Sequence, residues 1–266
     1  MDVMDVLQEN TLEESLRLAA DEPAHRPDFF RILLDSTVYV LGTAGAEEGT
    51  VNLEAGSKIG ILHWEKQDGT TAIPFFSSLE VLRKSIDAEQ SYLELPAKSL
   101  FEMTLGSNLV LNPKSPYGKE FIPEEVQNLL SDGVGRKAIQ RTVQKETKVL
   151  LGQPTSYPSE MIDSLTQLLA KHHNVKRAFL ALMHDVSVDE KPHLVIGIEA
   201  DGDIEFVMRE AGNVAGDTAP DGEPVDLCRV FEGEAGLSNY FLSQTEPFYE
   251  RKLGSKWRSF FGFGKA

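Results

Sequence analysis

The spacing of hydrophobic residues predicts helices and strands that alternate along the first half of the chain. Leu12, Leu16 and either Ala19 or Ala20 recur at the spacing of one helix face. A second helix is predicted from Arg26 to Asp35. Residues 37–41 are β-branched and aromatic, which is typical of a strand. The chain therefore begins with two helices and then a strand.

A hairpin is the clearest local prediction. The segments Ile59–Lys66 and Thr70–Phe76 flank Asp68-Gly69, and Asp-Gly readily supplies the positive φ that a tight turn needs. After the hairpin, the pattern predicts a helix from Ser77 or Ser78 to about Ala88, a strand at Tyr92–Leu95, helical turns at Lys98–Leu105, a strand at Leu109–Pro113 that the proline ends, and a helix from Pro123 to about Leu130.

The cluster of small and turn-forming residues at Ser131–Gly135 predicts a domain boundary. The second half is predicted to contain a strand within Thr142–Leu151, a helix at Pro158–His172, strands at Arg177–Met183 and His193–Ala200, a helix at Ile204–Ala211 and a strand at Val225–Val230, with a last helix from about Glu234. This β-α-β-β-α-β order is typical of a ferredoxin-like layer. We therefore predict an α+β fold with an N-terminal domain (1–132), a ferredoxin-like C-terminal domain (136–250) and a separate tail (251–266).

Charge and cysteine content exclude several classes of protein. The net charge is −16, with 42 acidic and 26 basic residues, and such a field repels nucleic acid. The single cysteine, Cys228, excludes an internal disulfide and a thiolate-dominated zinc site. The longest apolar run, Ala178–Met183, is far shorter than the roughly 20 residues of a membrane span, so no transmembrane segment is predicted. Because residues 1–5 lack the basic start of a signal peptide, we expect a cytoplasmic location.

Motifs of known chemistry are absent from the sequence. The string Gly133–Lys137 is the nearest approach to a phosphate-binding loop, but it lacks the required glycines, so we interpret it as a linker. Cys228 falls inside a predicted strand and is expected to be a buried thiol. No two of the six histidines have the spacing that places both on one helix face as metal ligands. We predict no catalytic residue, no cofactor and no metal.

An acidic segment offers two interpretations. Residues 185–226 contain twelve carboxylates and two strong bases, and four of the carboxylates alternate from Glu199 to Glu205. Alternating carboxylates could bind a hard cation. The sequence favours a structural interpretation, in which Asp201-Gly202 forms a turn and Asp203 caps the next helix.

The tail, residues 251–266, has the opposite charge to the rest of the chain, with five bases, no acids and four aromatic residues. Its apolar residues fall at the spacing of one helix face. Such a helix can dock in a partner's groove, lie on an anionic membrane surface or fold back on the protein's own acidic surface. The candidate partner-binding residues are Trp257, Phe260, Phe261, Lys256 and Arg258.

Several strings resemble one protein family. They are Glu22–Pro27 with Phe29–Arg31, His63–Lys66 with Asp68–Thr70, Ile73–Glu80, Leu100–Gly106, Met161–Leu165, Val175–Phe179, Ile196–Glu205 and Pro247–Arg251. Together they resemble the bacterial SseB family, the enhanced-serine-sensitivity proteins. The resemblance implies an N-terminal SseB domain, a separate C-terminal domain and a cytoplasmic bacterial protein. The family name points to an effect of serine on growth and names no reaction. Within these strings, His63, Trp64, Phe75 and Phe76 are candidates for lining a pocket.

Three functional hypotheses remain open. The one we favour is a non-enzymatic binding or regulatory protein that acts through contacts with another, unidentified protein. The second is a small-metabolite sensor, with amino acids as the first ligands to test. The third is an enzyme with an unfamiliar site, for which Glu65, His63, Glu102 and Asp163 are the polar residues to examine. The sequence does not predict an oligomeric state.

Overall fold

The chain divides into two structural units, Met1–Lys137 and Ala138–Ala266. The computed structural model describes residues 9–44, 59–66, 68–132, 149–186 and 191–252. The prediction of an α+β protein with two domains is confirmed. The predicted boundary at 133–135 lies outside the described residues, so its exact position stays a prediction.

The N-terminal domain contains, within the described residues, five α-helices and seven strands. In chain order they are α1 (Thr11–Asp21), α2 (Arg26–Asp35), β1 (Thr37–Thr43), β2 (Gly60–Ile61), β3 (Trp64–Glu65), β4 (Thr71–Phe76), α3 (Leu79–Ser85), β5 (Tyr92–Pro96), α4 (Ala97–Met103), β6 (Leu109–Leu111), β7 (Lys119–Phe121) and α5 (Pro123–Asp132). The predicted hairpin is confirmed, because Trp64 pairs with Ala72 and Gly69 has φ +80°.

The N-terminal sheet has the strand order β2-β1-β4-β6-β7, and β5 and β3 pair with β1 and β4 respectively. β4 and β6 run parallel, whereas the other pairs are antiparallel. Val40 and Phe75 point to one face, where they pack with residues of α1, α2, α4 and α5. This face carries the main core of the domain.

Pro74 lies in β4, a strand with neighbours on both sides, where proline is rare because it has no N–H to donate. The N–H of Ile73 donates to the carbonyl of Asn108, so alternation turns the nitrogen of Pro74 away from β6. On that other side, β1 pairs with β4 only at Phe75 and Phe76. The proline therefore falls where β1 has already separated from β4.

The C-terminal domain contains, within the described residues, three α-helices and five strands. They are β8 (Leu150–Gly152), α6 (Ser159–Ala170), β9 (Val175–His184), β10 (His193–Ala200), α7 (Glu205–Thr218), β11 (Val225–Arg229), α8 (Leu237–Gln244) and β12 (Tyr249–Glu250). The β-α-β-β-α-β order is present, but the ferredoxin-like arrangement is not confirmed. The sheet order is β11-β10-β9-β12, with β8 also on β9. Because β8 is antiparallel to β9 and directly beside it, the first β-α-β unit is not split by another strand.

The C-terminal sheet is covered on both faces. Ile196 and Ile198 are buried on one face. On the other face, Phe241 of α8 packs with Phe179 and Val195. A Cβ atom at Gly197 would lie 2.7 Å from the Phe241 ring, so the close approach of α8 requires glycine at this position of β10.

Candidate functional site

The four residues predicted to line a pocket are not gathered around one hollow. Phe75 and Phe76 are neighbours in β4 and therefore point to opposite faces, Phe75 into the main core and Phe76 into a second cluster with Leu41. His63 is exposed. Trp64 packs on Phe76, with ring centroids 6.2 Å apart and an interplanar angle of 65°. Of the four, the structure brings together only Trp64 and Phe76.

Around that pair, three half-exposed aromatic residues share the sheet face opposite the main core. Tyr39, Trp64 and Tyr92 flank the buried Phe76, and we refer to this surface as the aromatic face. The rings of Tyr39 and Tyr92 are 6.0 Å apart in an edge-to-face arrangement. Tyr92 is 42% exposed, whereas burial and the carboxylate of Glu94 raise the pKa of Tyr39. The phenol of Tyr39 is thus neutral at physiological pH.

Charged residues of both signs border the aromatic face. Lys114 lies over the indole of Trp64, with its Nζ 5.7 Å from the ring centroid. Lys66 forms an ion pair with Glu120 on β7. Glu94 pairs across the strands with Tyr39. An aromatic centre with a charged rim matches the composition of protein–protein interfaces.

Tyr39 and Tyr92 are site residues that the pattern analysis missed. The signal was present in β1, where Val38 and Val40 alternate with Tyr39, and in β5, where Leu93 and Leu95 follow Tyr92 in the same way. Aromatic residues on the side of a strand opposite its aliphatic residues indicate a second apolar surface. The pattern by itself predicts both segments only as strands.

A hydrogen-bonded polar cluster lies where the parallel strands β4 and β6 end. Its members are Asn10, Glu13, Ser77, Ser78 and Asn112. The hydroxyls of Ser77 and Ser78 both donate to Glu13 Oε1, each at 2.8 Å. The N–H of Ser77 donates to Asn112 Oδ1 at 2.9 Å, and Asn112 Nδ2 donates back to Ser77 Oγ at 2.9 Å.

This polar cluster also fixes the start of α1. Asn10 caps the helix by accepting from the N–H of Glu13 at 2.9 Å, and its Nδ2 donates to the carbonyl of Ser77 at 3.1 Å. Asn112 is only 2% exposed and adopts the left-handed φ of +50°. Its members satisfy one another, so the cluster joins a helix to two strands and acts as a structural element.

The thiol of Cys228 lies against the apolar cluster that surrounds Phe241. Burial, with the carboxylates of Asp226 and Glu234, raises its pKa to about 12. A thiol with such a pKa carries almost no thiolate at neutral pH and is a poor nucleophile. The interpretation of Cys228 as a structural residue is therefore supported by its chemistry as well as by its position.

The acidic segment is largely paired. Arg177 Nε lies 2.6 Å from Glu199 Oε2, and Lys176 Nζ lies 2.6 Å from Asp201 Oδ1. Asp203 Oδ1 accepts from the N–H of Glu205 at 2.9 Å, but the prediction that Asp203 caps the helix is wrong, because Ile204 holds the N-cap position of α7. Among the described residues, no group of three His, Cys, Asp or Glu side chains could hold a metal ion. These contacts give Glu199, Asp201 and Asp203 structural partners, and they favour the structural interpretation of the alternating carboxylates.

A cleft of about 430 Å³ opens at the edge of the C-terminal sheet. Its lining comes from the segment after β8, from the edge of β9 and from the segment between α8 and β12: Gln153, Tyr157, Leu180, Gln244, Thr245, Glu246, Pro247 and Phe248. The side chain of Gln153 donates to the carbonyl of Leu180 at 3.3 Å. Pocket predictions from the sequence missed this cleft because three segments, spread over nearly a hundred residues, form it.

The predicted partner-binding residues of the tail, Trp257, Phe260, Phe261, Lys256 and Arg258, lie outside the described residues. Their role stays a prediction. In the part of the chain that the structure describes, no helix is long and apolar enough to cross a lipid bilayer.

The fold defines a two-domain α+β protein whose notable surfaces are an aromatic sheet face and a small cleft. The family model described as "SseB protein N-terminal domain" matches residues 12–128, and the model described as "SseB protein C-terminal domain" matches residues 143–251. Protein SseB of Escherichia coli (strain K12) and Protein SseB of Shigella flexneri are each 45% identical over 251 residues, which cover 94% of this chain and 96% of each relative. No solved structure matches the chain significantly. The chain belongs to the bacterial SseB family.

Proposed function

We propose that this chain is a non-enzymatic cytoplasmic binding protein that contacts another protein through the aromatic face of its N-terminal domain. The observation that carries the proposal is the grouping of Tyr39, Trp64 and Tyr92 on one sheet face. Tyrosine and tryptophan are enriched among the residues that dominate binding energy at protein interfaces.

The geometry of the aromatic face supports this role. Phe76 is fully buried beneath Trp64, so the indole is held by packing and loses little side-chain freedom when a partner binds. The rim carries Lys66, Lys114, Glu94 and Glu120, and charges of both signs orient a partner more than they strengthen its binding.

The tail is a second contact surface in this proposal. Its basic and aromatic composition, with Trp257 and Lys256 among its residues, suits an acidic groove on a partner. The rest of the chain is strongly acidic, so the tail can also be held by the protein's own surface until a partner competes for it.

Crosslinked affinity capture from the protein's own cells tests the proposal. Tyr92→Asp places a charge in the aromatic face at a residue that is 42% exposed, so it should abolish partner capture without unfolding the domain. Leu105→Asp is the matched control, because Leu105 is 56% exposed in the same domain and lies on the turn after α4. A chain that ends at Glu250 tests whether the tail contributes to partner capture. Growth of paired cultures with and without added serine tests the effect of serine to which the family name points.

We expect at least one protein to be recovered with the unaltered chain and with Leu105→Asp, and to be lost with Tyr92→Asp. Recovery of the same proteins by all variants would show that the aromatic face is not the contact surface. Each variant must first melt at a temperature close to that of the unaltered chain, which shows that a lost capture is not caused by unfolding.

A further inference from the structure

The cleft in the C-terminal domain lies at a gap in the edge of the sheet. Arg251 N donates to the carbonyl of Lys176 at 2.8 Å and Phe248 N to that of Ala178 at 2.9 Å, so even-numbered residues of β9 direct their backbone groups to this edge. Gly152 of β8 pairs with Leu182 on the same edge. Leu180 lies between these two partners, with its N–H and C=O facing the cleft.

Two prolines keep the gap open. Continuing the β8 register by two residues places Pro154 opposite Leu180. On the other side of the gap, Phe248 and Tyr249 both lie opposite Ala178, and Pro247 directly precedes this bulge. Neither proline has an N–H to donate to the carbonyl of Leu180. Gln153 Nε2 donates to that carbonyl instead, at 3.3 Å, a long hydrogen bond that a better donor can replace.

Polar groups around the gap have hydrogen-bonding capacity that is not satisfied within the described residues. Among the described residues, Thr245 Oγ1 is a buried hydroxyl oxygen with no hydrogen-bond partner. Such a group costs free energy unless a ligand or water satisfies it. Tyr157, at the mouth of the cleft, is 56% exposed, and its hydroxyl is available to a ligand. The cleft volume of about 430 Å³ is within the usual range for small-ligand sites.

The chemistry of the lining selects among ligands. An extended peptide residue carries an N–H and a C=O on one side, which matches the N–H and C=O that Leu180 presents. Leu180, Pro247 and Phe248 supply apolar contact for a side chain. The lining includes one acidic side chain, Glu246, and no basic one, which disfavours a free carboxylate in the cleft. Because β8 and β12 bound the gap on both sides, only a short ligand can pair with Leu180.

We propose that this cleft binds a short peptide of two or three residues, which it recognises through backbone amides paired with Leu180 and through the hydroxyl of Thr245. This site belongs to the C-terminal domain and does not rest on the aromatic face. The proposal makes the hypothesis of a small-metabolite sensor more specific. The ligand class becomes short peptides with neutral amides, in place of free amino acids.

Nuclear magnetic resonance of the isotope-labelled full chain tests the site, with N-acetylalanine N-methylamide as the probe and free alanine as its matched control. Both carry the same side chain, but only the probe has the two neutral amides. We expect saturable shifts of the Leu180 amide and the Gln153 side-chain NH₂ at millimolar probe, and no shift with alanine. No shift with the probe, or an equal response to alanine, overturns the proposal.

A pair of variants tests whether the hydroxyl of Thr245 contributes to probe binding. Thr245→Val keeps the shape of the side chain and should weaken probe binding about fivefold, the equivalent of one hydrogen bond. Ser243→Ala is the control, since Ser243 is exposed on α8 and does not line the cleft. Unchanged amide shifts across β9 and β10 verify that each variant folds, and an unchanged dissociation constant for Thr245→Val contradicts the proposed recognition.

Discussion

The polar cluster of the N-terminal domain and the cleft of the C-terminal domain both lie where strands end, but they use their polar atoms in opposite ways. In the cluster, Glu13, Ser77 and Asn112 are hydrogen-bonded to one another or to neighbouring members. In the cleft, Thr245 Oγ1 is buried without a partner among the described residues. A network of mutually satisfied groups holds elements together, whereas an unsatisfied group beside a cavity indicates a place for a ligand.

Breaking the polar cluster should therefore produce the largest change in stability. Asn112→Ala leaves the buried N–H of Ser77 without its acceptor and places alanine at φ +50°. The two effects together should lower the free energy of unfolding of the N-terminal domain by about 3 kcal/mol. Urea denaturation followed by tryptophan fluorescence measures the change, in a chain that carries Trp257→Phe so that Trp64 is the remaining tryptophan.

Two further variants separate these contributions. Asn112→Gly loses the same hydrogen bonds but tolerates the left-handed φ, so it should cost less than Asn112→Ala. Asn108→Ala removes an exposed amide whose contact with Thr71 is long, at 3.5 Å, and should change stability by at most about 0.5 kcal/mol. Equal losses for Asn108→Ala and Asn112→Ala would contradict a structural role for the cluster.

Cys228 extends the comparison to a half-buried polar group that packs against a core and lies outside the cleft. Its pKa is raised from 9.0 to about 12, so above pH 9 the unfolded chain loses the thiol proton while the folded domain retains it. Raising the pH in that range therefore favours unfolding, with a contribution on the order of 1 kcal/mol per pH unit. Below pH 9 both states keep the proton and no stability is lost, and the loss above pH 9 should be absent in Cys228→Ala.

Unfolding free energies at pH 8, 9 and 10 for both proteins measure this difference in slope. The comparison of slopes cancels the constant cost of removing the sulfur atom. Parallel pH profiles would mean that the thiol of Cys228 reaches solvent in the folded domain.

Most of the elements could be predicted from the sequence because local signals and packing agree. Asp68-Gly69 and Pro123, for example, mark the hairpin turn and the start of α5 where the structure has them. α7 was predicted to end near Ala211 but continues to Thr218. Burial of Val214 and Ala215 outweighs the low helix propensity of the glycines around them.

Features that depend on distant contacts could not be predicted. The short strands β7 and β12 are recognisable only by their partners β6 and β9. The strand order of the C-terminal sheet likewise depends on which edge of β9 receives β8. Trp64 and Phe76 of the aromatic face were predicted as site residues, because both lie in the locally encoded hairpin. Tyr92 was missed, because it reaches this face from a separate strand, β5.

The smallest change in unfolding free energy is expected from removing a hydroxyl that has no hydrogen-bond partner. Within the C-terminal domain, it can be compared directly with the removal of a hydroxyl that is hydrogen-bonded. Thr218 Oγ1 donates to the carbonyl of Val214 at 2.6 Å, so Thr218→Val should cost about 1 kcal/mol of unfolding free energy. Thr245→Val removes a hydroxyl that has no partner among the described residues, so its cost should stay within about 0.5 kcal/mol of zero, with a gain in stability as the favoured sign. Thermal unfolding of both variants in the absence of ligand makes the measurement. If Thr245→Val were as costly as Thr218→Val, the hydroxyl would already be satisfied in the unliganded protein, and the cleft would lose the polar atom that distinguishes it from the cluster.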